Sequence, residues 1–134
     1  MDGRHLTSRE IDSLRPYIPL ADLRCAVIHA GRVPWYLPKR FGAVVRGNHI
    51  YFRTGTYGDD SPAAIALLGH ELTHVGQYRN GMTALSYLCS ALRGYGNNRF
   101  EKAAFAVQER IFRDLVNLQA SRSADSFPPL PSSG

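Results

Sequence analysis

The chain has 134 residues, 44% of them hydrophobic and 20% charged, with a formal net charge of +5 and a pI of about 9.6. These values fit one soluble globular domain with a modest core, too short for two domains and too apolar for a disordered chain. No run of Lys or Arg interleaved with aromatics stands out, so no nucleic-acid partner is expected. The longest apolar stretch, Ala63 to Leu68, is far too short to span a bilayer, so no membrane partner is expected either.

Thr7-Ser8-Arg9-Glu10 is a capping box that opens a short helix running to Leu14, which Pro16 stops. Arg24 to Ala30, with Val27 and Ile28, reads as a strand. Gly31 to Phe41 holds Pro34, Trp35, Tyr36 and Pro38 and reads as an extended, aromatic-rich connection. Ala43-Val44-Val45 and His49-Ile50-Tyr51-Phe52 flank Gly47-Asn48 as a hairpin, and a Gly- and Asp-rich loop follows from Thr54 to Asp60.

Ser61-Pro62 is a helix start and Asn80-Gly81 a helix stop. Between them Ile65, Leu68, Leu72 and Val75 form a core stripe, while Leu67, His70, His74 and Gln77 share another face. Thr83 to Leu92 is expected to form a shorter helix with Leu85, Leu88 and Leu92 inward. Asn98 then caps a long helix to about Leu118, with a stripe of Phe100, Ala104, Val107, Ile111 and Leu118.

Strands come first and helices second, so the class is α+β, a small antiparallel sheet packed on a helical bundle. Residues 1–120 are expected to form a single domain, and 121–134, rich in Ser, Pro and Gly, a disordered tail or linker. Cys25, placed in the strand, and Cys89, placed in the short helix, form no disulfide framework and read as small buried hydrophobes. The polar N-terminus lacks a signal core. The chain is therefore expected in the cytoplasm, with any export independent of a Sec-type signal.

His70-Glu71-Leu72-Thr73-His74 falls inside the capped helix. Histidines at i and i+4 stand one above the other on one face, where two imidazoles can share a tetrahedral zinc. Glu71, next to the first of them, is suited to taking a proton from a zinc-bound water rather than to ligating. A catalytic zinc takes three protein ligands and keeps one position open. The metzincin extension is absent, because its places hold Gln77 and Asn80.

Glu101, in the first turn of the last helix, is the best third ligand. Ala103 and Ala104 beside it would let two helices approach closely. Its plainer role is a first-turn acid favouring the helix dipole. Glu109, two turns along, is the runner-up. His29 and His49 alternate on strands and are expected to pack or hydrogen-bond there, and Asp59 and Asp60 to serve the loop or the helix start.

Val27-Ile28-His29, Gly47 to Phe52, Gly55-Thr56-Tyr57, Leu67 to Gln77 and the later Asn98 to Ala104 together resemble the extracellular contractile injection system core family, a bacterial zincin-like domain. The resemblance implies a minimal gluzincin-like metallopeptidase fold, linked to secretion or phage-tail-like machinery. The wider gluzincin pattern has an acid four residues after the glutamate ligand, where this chain has Phe105. A partner that orients the histidines must therefore come from elsewhere.

The expected activity is peptide-bond hydrolysis, with zinc held by His70, His74 and Glu101 and with Glu71 as general base. Tyr57 and Tyr95 are candidates to stabilise the oxyanion. The hairpin strand ending at Phe52 is a candidate edge for an extended peptide. Trp35, Tyr36 or the N-terminal segment are candidates to cover the cleft. The alternative is a non-catalytic zinc-binding or docking module of a secretion or contractile injection apparatus.

Overall fold

A computed structural model describes residues 3–37, 39, 41–83 and 98–126. The helix expected from Thr83 to Leu92, with Cys89, lies outside the described residues apart from Thr83, and so does Tyr95. The elements are helices α1 (Ser8–Leu14) and α2 (Leu20–Cys25), strands β1 (Val27–Ala30), β2 (Ala43–Arg46) and β3 (His49–Phe52), and helices α3 (Pro62–Arg79) and α4 (Arg99–Ser126). The class is α+β, as the order of elements implies.

The sheet differs in one respect from the antiparallel expectation. Its order is β1-β3-β2, with β2 antiparallel to β3 but β1 parallel to it. The hairpin itself forms as read. Gly47, at φ +63°, takes the first central position of a two-residue turn between the paired Arg46 and His49, a position where a side chain would be strained. β3 is paired on both sides, so it offers no edge for a peptide, and the edge strand of the hairpin is β2.

Period-2 alternation sends Ile28, Val45, Ile50 and Phe52 into the core. On the other face His29 Nε2 lies 3.0 Å from His49 Nδ1, and Tyr51 stacks on the His29 ring at 4.4 Å. These histidines pack and hydrogen-bond on the sheet, as expected.

α2 occupies residues where the sequence implies no helix. Cys25 ends that helix rather than lying in a strand, with its sulfur turned to the Asp22 carbonyl, and β1 begins only at Val27. A six-residue helix after Pro19 gives too short a periodic signal to separate from the strand that follows. Asp22 on it is buried and pairs with Arg79 at the end of α3.

The α1 capping box is present, and Glu10 does more than cap. Its carboxylate accepts from the Thr7 N–H (2.8 Å), from the Arg4 guanidinium through two bonds (2.9 and 3.1 Å) and from the Tyr57 hydroxyl. Burial works against its charge, yet the bonds from Arg4, Tyr57 and Thr7 outweigh it and lower the pKa from 4.5 to about 2. The stability this gives is complete above the ordinary carboxylate range and is lost as pH falls towards 2. Glu10→Gln is expected to cost about 1.5–3 kcal/mol at neutral pH, nearer the lower figure because Arg4 is half-exposed. The variant should also flatten the stability–pH curve between pH 4.5 and 2 in urea titrations. An unchanged acid limb would contradict this assignment.

Candidate metal centre

α3 starts and stops where its signals place it. Ser61 Oγ accepts from the Ala64 N–H at 3.2 Å, with Pro62 in the first helical position. Asp59 accepts from the Ser61 hydroxyl at 2.7 Å, and Asp60 pairs with Arg9. At the other end Met82 N–H reaches the Gln77 carbonyl and Gly81 N–H that of Tyr78, a Schellman closure in which Gly81 adopts φ +104°. The stripe of Ile65, Leu68, Leu72 and Val75 is buried, and the histidine face turns towards α4.

The two helices run antiparallel. Ascending α3 from Gly69 through His70 to Gln77 meets Ile111, Gln108 and then Phe100 on α4. At Gly69 an added Cβ would fall 2.3 Å from the Ile111 side chain at Cδ1. The lack of a side chain at Gly69 thus leaves room for Ile111 of α4 beside the first histidine. Ala104 is buried in the same interface, whereas Ala103 faces solvent.

Asn98 Oδ1 caps α4 through the Phe100 and Glu101 N–H groups (2.9 and 3.3 Å) and so sets the turn that carries Glu101. Glu101 Oε1 lies 3.0 Å from His70 Nε2 and 3.3 Å from His74 Nε2. The three ligand atoms lie within 4.8 Å of one another, all on buried residues, and this cluster could hold a metal ion. Glu109 is exposed and paired with Arg113 at 3.0 Å, away from the cluster.

The orientation of the histidines comes from two glutamines. Gln77 Nε2 donates to the Phe100 carbonyl at 3.0 Å, which turns its Oε1 towards His74 Nδ1 at 2.7 Å. The Nδ1–H of His74 therefore donates to Gln77, which leaves its Nε2 turned to Glu101. His70 Nδ1 makes the equivalent contact with Gln108 Oε1 at 2.8 Å. Gln108, two turns beyond Glu101, thus supplies the partner that Phe105 does not. Phe105 instead sets its ring edge-on against His70, with centroids 4.6 Å apart. The i, i+7 spacing from Glu101 to Gln108 was a readable signal, but a neutral amide two turns away is easily passed over. Gln108→Ala is expected to weaken metal binding by about 10–100-fold, measured by competition with a chromogenic chelator. Unchanged affinity would show that Gln108 does not orient His70.

The electrostatics suit a cation. Burial opposes a charged His74, but the hydrogen bond and charge of Glu101, aided by Glu71 and Gln77, raise its pKa above the ordinary value. Glu71 is buried beside the cluster. Burial raises its pKa, His70 and His74 pull it down, and Glu101 adds to the rise. Two imidazoles and a carboxylate, oriented from behind and buried together, could hold a metal ion, and zinc is among the ions that accept such donors. Tyr57 is placed otherwise. Its hydroxyl is given to Glu10 and its ring stacks on Phe52 at 4.9 Å. Trp35 is 94% exposed, so among the described residues it does not cover the cleft.

Residues 22–82 match the family model of the eCIS core domain. The match spans just under half of the chain, and it takes in the sheet, the aromatic connection and the whole of α3, but not Glu101. It supports the contractile injection system resemblance. No curated protein and no solved structure matches the chain.

Proposed function

We propose that the chain is a zinc-binding, zincin-like domain that works with a contractile injection apparatus, and that its metal centre hydrolyses peptide bonds. The observation that carries the metal centre is the convergence of His70, His74 and Glu101 from two helices, with Glu71 buried beside them. When bound, zinc supplies Lewis acidity, polarising a carbonyl and acidifying water. His70, His74 and Glu101 would hold it, while Gln108 and Gln77 keep the imidazole Nδ1–H groups occupied. Glu71 takes the proton of the attacking water and returns it to the leaving amine. A buried carboxylate with a raised pKa is better matched to that exchange near neutral pH than an exposed one. The role of Tyr95 as an oxyanion donor stays part of this proposal, whereas the Tyr57 hydroxyl is already engaged by Glu10.

A second reading is favoured by the family match, which speaks for association with a contractile injection apparatus more directly than for catalysis. In it the same centre binds metal but turns nothing over, and the domain serves as a docking module. The deciding experiment is incubation of the zinc-loaded chain, and of its Glu71→Gln variant, with a peptide library read by mass spectrometry. Cleavage by the native chain that chelation abolishes supports the peptidase. A fully metallated chain that cleaves nothing leaves the docking module.

A further inference from the structure

The positive charge is not evenly spread. Between Asp22 and Asp59 the sequence holds six Lys or Arg and no Asp or Glu, while the rest of the chain is nearly balanced. Of these, Arg32, Lys39, Arg46 and Arg53 lie on the sheet or on the loops that join its strands and follow β3. At the tip of the connection Leu37 N–H bonds the Pro34 carbonyl at 3.1 Å, closing a turn with Trp35 and Tyr36 at its centre. The turn is tied to the sheet. Arg53 donates to the carbonyls of Phe41 (3.0 Å) and Leu37 (3.3 Å), and the Gly31 and Arg32 N–H groups reach the Phe52 carbonyl.

Trp35 is 94% exposed and Tyr36 53%, their rings edge to face at 5.9 Å. Val33 to Leu37 is an unbroken run without a charge, with the exposed Arg32 before it and the exposed Lys39 after it.

We propose that this loop is a peripheral anchor to the surface of an anionic lipid bilayer. Trp and Tyr prefer the headgroup level, where an apolar ring body and a polar edge are both satisfied. Flanking cations add attraction to anionic headgroups that neutral ones do not offer. Nucleic-acid surfaces instead interleave cations with the aromatics they stack, and here the charges stand only outside the apolar run. The contact is with the surface, since among the described residues no helix is long and apolar enough to cross a membrane. It is independent of the metal centre.

Trp35 is the only tryptophan, so its emission reports this loop alone. The full chain is titrated with vesicles of phosphatidylcholine, with and without one-third phosphatidylglycerol, and binding is also read by co-sedimentation. The expected result is a blue shift and sedimentation with the anionic vesicles only, weakened by raised salt. Arg32→Gln and Lys39→Gln should each lower affinity about fivefold. Trp35→Ala, at a site that packs against little, should abolish sedimentation while leaving the melting temperature unchanged. No shift with anionic vesicles would overturn the proposal. So would equal binding to neutral vesicles, undiminished sedimentation of Trp35→Ala, or a shift produced only by a single-stranded oligonucleotide.

Discussion

Glu71→Gln is expected to reduce peptide hydrolysis by about 10²–10⁴-fold while the chain keeps its full complement of metal. The substitution preserves size and one hydrogen-bond acceptor but removes the ability to carry a proton. Glu71 is not among the three residues whose ligand atoms converge, so the metal should be held as before. Folding should be undisturbed or slightly favoured, because a buried carboxylate whose pKa burial raises is costly to keep ionised, and the amide carries no such cost. The check is a pair of measurements on one preparation, turnover on a peptide that the native chain cleaves and metal content. Undiminished turnover would remove Glu71 as the base. Loss of both turnover and metal would make it a ligand instead.

Glu101→Ala is the second large effect, and it acts on the metal itself. Groups that only orient a ligand are worth about 10–100-fold in affinity, so removing one of three direct ligands should cost more than a hundredfold. Glu101 Oε1 is also the atom that both imidazole Nε2 atoms approach, so its loss leaves two histidines facing each other with no carboxylate between them. The plainer role of a first-turn acid predicts something different, a loss of about 0.3–1 kcal/mol of helix stability and no change in affinity for metal. Competition titration against a chelator separates the two roles, and Glu109→Ala should behave as the native chain does.

Much of the fold and the site was readable because the signals were local. Thr7, Ser61 and Asn98 each cap the helix they precede, Gly81 closes α3 in the left-handed conformation, and Gly47 turns the hairpin. The i, i+4 histidines followed from helix geometry, and Glu101 followed from the ligand count. What was missed depended on packing between distant segments. The parallel pairing of β1 with β3 leaves no mark in either strand's own pattern. The close approach at Gly69, the Gln108 contact and the sharing of Glu10 by Arg4 and Tyr57 are visible only once the helices and loops are set together.

The far end of α4 is longer and more exposed than its pattern implies. Leu118, expected in the core stripe, is 45% exposed, and Phe100 is only partly buried. The helix also continues to Ser126, past the change in composition at Ser121. Periodicity reports that a face is apolar, not that something covers it. The Ser-Arg-Ser-Ala stretch contains no breaker, and the first proline after it is Pro128.

The metal centre proposed above draws His70, His74 and Glu101 from two helices, with zinc as the expected ion. Its most direct test is the metal content of the purified, untagged chain by inductively coupled plasma mass spectrometry, before and after equilibration with a slight excess of zinc. One zinc per chain that survives gel filtration is the predicted result. A chain that retains none after equilibration would contradict the metal centre and, with it, the hydrolytic role of Glu71.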